Sequence, residues 1–184
     1  RCFYISANAV LNGFTISNGY AFGPPPANRG GGIYAYACTA LVQNCNIVGN
    51  RAASNTSGKG CGAGMAMTAG STTVSNCLIA MNDTRVDGTG TGIYIANCRG
   101  RLVDSVISNN VQDDGGGSGN GRGGGVFMDA SINAVVSNCT MIGNYATRYG
   151  ANYVNGGTFT HCLFSNNSAR SAGGGVQLYA MTTG

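Results

Sequence analysis

One seven-residue phrase returns along this chain in five near-copies: Asn44-Cys-Asn-Ile-Val-Gly-Asn50, Asn76-Cys-Leu-Ile-Ala-Met-Asn82, Asp104-Ser-Val-Ile-Ser-Asn-Asn110, Asn138-Cys-Thr-Met-Ile-Gly-Asn144 and His161-Cys-Leu-Phe-Ser-Asn-Asn167. A glycine-led phrase alternates with it: Gly30-Gly-Gly-Ile-Tyr34, Gly62-Ala-Gly-Met-Ala66, Gly90-Thr-Gly-Ile-Tyr94, Gly123-Gly-Gly-Val-Phe127 and Gly173-Gly-Gly-Val-Gln177. Self-similarity at a period of a few tens of residues marks a stacked-repeat architecture, in which each unit buries its apolar face only against its neighbours.

The repeats run through the 184 residues without a linker, which predicts a single domain over residues 1–184. Thirty-two glycines with only three prolines and no three-residue period exclude collagen, and the regular apolar positions argue against a disordered chain. Charged residues make up 9%, and the net charge of +4 is spread without any run of like charge. That pattern argues against nucleic-acid binding, which calls for a clustered basic stripe. No apolar stretch approaches the roughly 18 to 20 residues of a membrane span. Arg1 falls in mid-pattern with no signal peptide, so the sequence reads as a mature product or a piece of a longer polypeptide.

Aligned on the two phrases, each repeat contains three strand-like segments. The first follows the glycines (Ile33, Met65, Ile93, Val126, Tyr153, Val176), the second centres on Val42, Val74, Val103, Val136 and Phe159, and the third is the Cys-x-Ile segment. Within the third, Cys45 and Ile47, Cys77 and Ile79, Ser105 and Ile107, Cys139 and Met141, and Cys162 and Phe164 lie two apart, so both members of each pair point inward. The length differences between repeats fall at one corner, between the closing Asn and the next glycines. Three short strands and three turns in about 23 residues predict a parallel β-helix with coils stacked at roughly 4.8 Å. Helical solenoids are excluded, because Gly, Asn, Ser and Thr form amphipathic helices poorly.

Glycine-glycine-apolar alternating with apolar-x-x-Asn resembles the paired repeats of the polymorphic outer-membrane proteins and related bacterial surface β-helix proteins. The matching positions are Gly31-Gly-Ile33, Gly124-Gly-Val126 and Gly174-Gly-Val176, with Ile47 to Asn50, Ile79 to Asn82, Ile107 to Asn110, Met141 to Asn144 and Phe164 to Asn167. The chain departs from the pattern at Asn152, which replaces a glycine. It departs again in the first coil, where Phe14 and Ile16 take the inward places but Gly19 stands for the closing Asn. The resemblance implies an all-β, right-handed parallel β-helix of about six coils, displayed outside the cell as an adhesin or passenger segment, and it does not imply catalysis.

Asn50, Asn82, Asn110, Asn144 and Asn167 fall at one corner of successive coils, where stacked amides bond as a ladder and satisfy the turn backbone. Asn44, Asn76, Asp104, Asn138 and His161 are turn residues by the same logic. The eight cysteines favour an oxidising, extracellular compartment. Cys45, Cys77, Cys139 and Cys162 form a column in which disulfides and packed thiols are rival outcomes: the coil spacing suits a disulfide, but parallel Cβ vectors are poorly angled for one. With one histidine and no Cys-x-x-Cys pair, structural zinc is disfavoured. Asp83, Asp87, Asp113 and Asp114, with Arg85 and Arg122, are the acidic and basic residues an enzyme of this architecture would draw on. They are placed in solvated insertion loops. Asn55 heads the one sequon lying freely in a loop.

The reading is an extracellular or cell-surface, non-catalytic structural or adhesive protein with no cofactor, metal or catalytic site. Its leading form is a subunit that joins head to tail through Cys2, Phe3, Val176 and Leu178, in the outermost strands. The insertion-loop corner is the expected contact for a surface glycan or protein. The alternatives are a carbohydrate-active β-helix enzyme and a glycan-binding module using Tyr20, Tyr145 and Tyr149.

Overall fold

The computed structural model describes residues 1–54, 60–85, 88–113, 121–131, 133–171 and 173–179. They form a parallel β-helix of six coils, and each coil contributes one strand to each of four parallel sheets. The first sheet has seven strands, from Phe3–Ile5 through Ile33–Cys38 and its successors to Val176–Leu178. The second (Val10–Asn12 to Thr158–Thr160) and third (Thr15–Ser17 to Leu163–Ser165) have six each. A fourth sheet runs from Tyr20–Phe22 through Arg51–Ala53, Asp83–Arg85, Val111–Asp113 and Tyr145–Ala146 to Ser168–Ala169. The coil therefore carries four strands rather than three. The fourth escapes notice because its inward residues (Ala21, Ala52, Thr84, Gln112, Ala146) are small or polar and carry no apolar periodicity.

The main core lies among the first three sheets. Ile47, Ile79, Ile107 and Met141 pair in register up the third sheet and are fully buried. Val42, Val74, Leu102 and Val136 face them from the second, and Ile33, Met65, Ile93 and Val126 from the first. Leu102, not Val103, is the inward residue of its strand. The fourth sheet packs instead on the glycine-led segments, with Ala21, Ala52 and Ala63 forming a separate small-residue core. Here lies the reason for the glycines: a Cβ at Gly31 would collide with the Arg51 and Ala63 carbonyl oxygens, and one at Gly124 with the Tyr145 carbonyl.

At the glycine-led corner one coil is a residue shorter than the coil before it. Arg122 bridges to Tyr149 and Phe127 pairs with Tyr153, so four residues on one coil face three on the next. Tyr153 thus falls in the outward column with Phe127, and Asn152, opposite Val176, takes the inward place expected for it. The Asn152 side chain repairs the missing peptide: its Oδ1 accepts from the Val126 N–H at 3.1 Å, and its Nδ2 donates to the Gly175 carbonyl at 3.0 Å. At the open end of the stack Phe14 is half exposed rather than buried, resting edge-on against Phe3 at 6.0 Å between centroids.

Each coil also turns on left-handed residues. The position before the closing Asn holds Asn18, Gly49, Met81, Asn109, Gly143 and Asn166, all at positive φ. Met81, at φ 54° and 61% exposed, has neither the local hydrogen bonding of Asn nor the freedom of Gly. Met81→Asn should therefore raise stability by about 0.5–1 kcal/mol, read as a higher denaturant midpoint at unchanged slope.

Candidate functional site

The closing asparagines form a continuous buried ladder. Asn82 Oδ1 accepts from the Asn50 backbone N–H (2.9 Å) and side-chain Nδ2 (3.1 Å), while Asn82 Nδ2 donates to the Ile47 carbonyl (3.0 Å) and to Asn110 Oδ1 (2.9 Å). Asn110 and Asn144 repeat the arrangement, and Asn167 receives both bonds from Asn144 and donates to the Met141 carbonyl. Every hydrogen-bonding position of an interior amide is used, which leaves these residues nothing for a ligand. Asn110→Ala would strand the Asn82 N–H and the Ile79 carbonyl in the interior. It should cost about 3–5 kcal/mol by urea denaturation, and Asn167→Ala, with no rung beyond it among the described residues, clearly less.

The cysteine column is a second internal device. Asn44, Asn76, Asp104, Asn138 and His161 stand at φ 49–54°, and the residue after each bonds back across the corner. The thiols of Cys45, Cys77, Cys139 and Cys162 donate to the carbonyls of Gln43, Ser75, Ser137 and Thr160 at 3.1–3.2 Å, and Ser105 Oγ does the same to Val103 at 2.7 Å. All eight cysteines lie among the described residues, and all are free thiols. Of the two rival outcomes for the column the structure has packed thiols, each corner sulfur pointing at a carbonyl. Away from that column, Cys38 Sγ lies 3.6 Å from Thr72 Oγ1. Burial, the main cause, pushes Cys77 up to about 11 and Cys139 to about 12 from an ordinary 9.0. A folded-state pKa raised in this way favours the native state fully below pH 9 and loses that advantage as pH rises through the folded values. Stability should therefore fall between about pH 9 and 12, and thiol-specific labelling at pH 8 should modify exposed Cys2 well before the buried thiols.

The charged residues offered as enzyme candidates are placed differently from expectation. Asp83, Arg85 and Asp113 lie on strands of the fourth sheet, not in loops, with Arg85 and Asp113 in register. Asp83 Oδ2 meets Arg85 Nε at 3.1 Å and Arg51 Nε at 3.4 Å. Among the described residues no group of three His, Cys, Asp or Glu converges as a metal site. No described helix is long and apolar enough to cross a membrane. Asp87, Asp114 and the Asn55 sequon lie outside the described residues. His161 is exposed, with Nδ1 3.0 Å from Thr160 Oγ1.

The three corner tyrosines are not brought together. Tyr20 and Tyr145 are separated along the outer column of the fourth sheet, and Tyr149 lies under Arg122 at 4.6 Å. The aromatic surface is instead the outer side of the first sheet. Tyr94, Phe127 and Tyr153 stack there with centroids 5.4 and 5.0 Å apart, and Tyr4 and Tyr34 continue the column toward the first coil. Arg122 covers Tyr149 and Tyr153, and Arg29 hydrogen-bonds Tyr34. Burial raises the phenol pKa of Tyr94 and of Tyr153. The signal was present in the sequence as an aromatic directly after the inward residue in three of the five glycine-led phrases, at Tyr34, Tyr94 and Phe127, with Ala66 and Gln177 in the other two.

The four-sheet stack and its glycine-led corners agree with comparison to known families, where a profile of the right-handed β-helix region matches residues 2–183. The chain belongs to this right-handed β-helix family. No curated protein and no solved structure matches it. Right-handed β-helices include structural and surface proteins as well as carbohydrate-active enzymes, so family membership fixes the scaffold and leaves the choice of function to the surface.

Proposed function

We propose that this right-handed β-helix is a non-catalytic structural or adhesive element of the cell surface or extracellular space, of the kind its resemblance to polymorphic outer-membrane proteins implies, and that copies join end to end. The reading is supported by the side chains that the first and last described coils present. At one, Phe3 and Phe14 pack edge-on and lie partly open; at the other, Phe159 and Phe164 do the same at 5.4 Å, with Asn167 as the last described rung of the ladder. The two ends differ in what they offer, so a head-to-tail contact would continue the apolar column and the parallel strand pairing, with the amide ladder interrupted at Gly19, and a contact of that type repeats without closing. The engagement of Asp83 by two arginines favours a structural over an acid–base use of that carboxylate.

Of the expected contact residues, Cys2 is exposed, Phe3 and Val176 are half-buried, and Leu178 is 74% exposed. The Phe3 N–H already donates to the Gly32 carbonyl at 2.9 Å, so proline there would break the coil itself. Residues whose N–H points away from the stack are better probes. The bonds from Leu41 N to Ala9 O and from Gly13 N to Gln43 O turn the Val10 N–H outward, and the bond from Tyr179 N to Val154 O does the same for Leu178. The parent should form filaments visible by electron microscopy that persist at about 1 M salt, where the Debye length is ~3 Å. Val10→Pro with Leu178→Pro should leave single subunits with unchanged circular dichroism. A parent that stays monodisperse, or a double variant with undiminished filaments, overturns end-to-end assembly.

A further inference from the structure

Across the first two coils the molecule carries a cleft of about 460 Å³ on the outer face of the first sheet, within the ~300–1,000 Å³ range typical of small-molecule sites. Its floor is Tyr4, Tyr34 and Tyr36, and the Pro25–Pro26 pair closes one side. The two charged residues in its lining are both arginines, Arg1 and Arg29, and no carboxylate is among them.

Both arginines are held in place. Arg1 Nη2 donates to the Pro26 and Ala27 carbonyls at 3.0 Å each, and its guanidinium lies over the Tyr34 and Tyr4 rings at 5.2 and 5.7 Å. Arg29 is tied to Tyr34 by a side-chain hydrogen bond. Positive charge fixed before a ligand arrives costs little ordering on binding. Tyr4 and Tyr36 remain 54% and 46% exposed, so their rings are open to a partner.

The ring geometry narrows the chemistry. Tyr4 is tilted 45° to Tyr34, and Tyr36 40° to Tyr34, at 5.5 and 6.0 Å between centroids. Splayed rings make a cup that suits a puckered ring with apolar C–H faces better than a flat base, which wants parallel walls. The arginines supply the fork that matches a carboxylate or sulfate.

We propose that this cleft binds an acidic sugar residue of a glycan, the pyranose ring resting on Tyr4 and Tyr36 and its anionic substituent on Arg29 and Arg1. The cleft borders the proposed end-to-end contact, because Tyr4 lies in the outermost strand Phe3–Ile5, so the titration is repeated on the Val10→Pro/Leu178→Pro single subunit and failure of either idea is read separately.

The test is calorimetric titration of the whole chain at low salt with three probes: an oligoglucuronate, a sulfated oligosaccharide and a neutral cello-oligosaccharide. Binding of at least one acidic probe about tenfold tighter than the neutral one, weakened about tenfold by Arg29→Gln and again by Tyr36→Ala, is the expected result. Preference between the two acidic probes identifies carboxylate or sulfate as the anion read. Circular dichroism melts of both variants should match the parent. If Arg29→Gln disturbs the fold, Tyr36→Ala, at an exposed position, decides alone. The proposal is overturned by equal affinity for the neutral probe, by binding to none of the three, by binding that either folded variant leaves intact, or by tighter binding of adenosine monophosphate in the same cleft.

Discussion

The interlock between the closing asparagine of each coil and the last glycine of the glycine-led phrase governs the rest of this fold. A Cβ at Gly92 would lie 2.6 Å from the Gly125 carbonyl oxygen and 2.9 Å from Asn110 Nδ2, and Gly64 stands in the same relation to Asn82. The amide can enter the corner only because that position has no side chain. Once inside, it ties its own turn to the coils before and after it. The two repeated phrases are therefore the halves of one contact, which is why they alternate so regularly. Hydrogen bonds inside a dry stack are strong when complete and costly when partial, so the pairing tolerates little variation at either member.

The opposite corner solves a related problem with sulfur. A left-handed Asn or Asp turns the chain, and the next side chain closes the turn by donating to the carbonyl two residues back. Ser105 shows that a hydroxyl performs the task, so the cysteines around it act as slightly larger, more apolar hydroxyl equivalents. Their sulfurs also face carbonyls of the preceding coil, as Cys77 does that of Val42 at 3.6 Å and Cys139 that of Leu102 at 3.5 Å. Cysteine is suited to this place because it fills core volume while offering a weak donor.

The amino-acid sequence declares those parts of the fold that rest on apolar periodicity or on a repeated side chain. Ile47, Ile79, Ile107 and their neighbours could be placed in register from spacing alone, and the asparagine rungs with them. The fourth sheet was hidden because Ala52, Thr84 and Gln112 face glycine rather than a hydrophobic core, so their burial leaves no apolar mark. For the same reason Asp83 and Asp113 read as loop residues, although their backbones are paired. The cysteine column could be aligned, but its redox state depends on where each sulfur points, and spacing does not encode that. The arginine–tyrosine cleft was out of reach because it joins Arg1 and Arg29 to strands in two different coils, a meeting set by the path of the loop between them.

Asn152 carries a consequence for how such rods change length. In a strand, the loss of one residue turns every later side chain to the wrong face, and in a stacked coil the error would pass to each coil above. Here the shortfall between Arg122 and Phe127 on one coil and Tyr149 and Tyr153 on the next is absorbed at once, and Phe159 and Phe164 above it keep the register of Val136 and Met141. A side-chain amide has the same donor and acceptor as a peptide group, so one asparagine can stand in for a lost link of main chain. Repeats built on this plan can therefore drift in length even along their most tightly packed edge, and lineages of such proteins need not confine insertions and deletions to their outer loops.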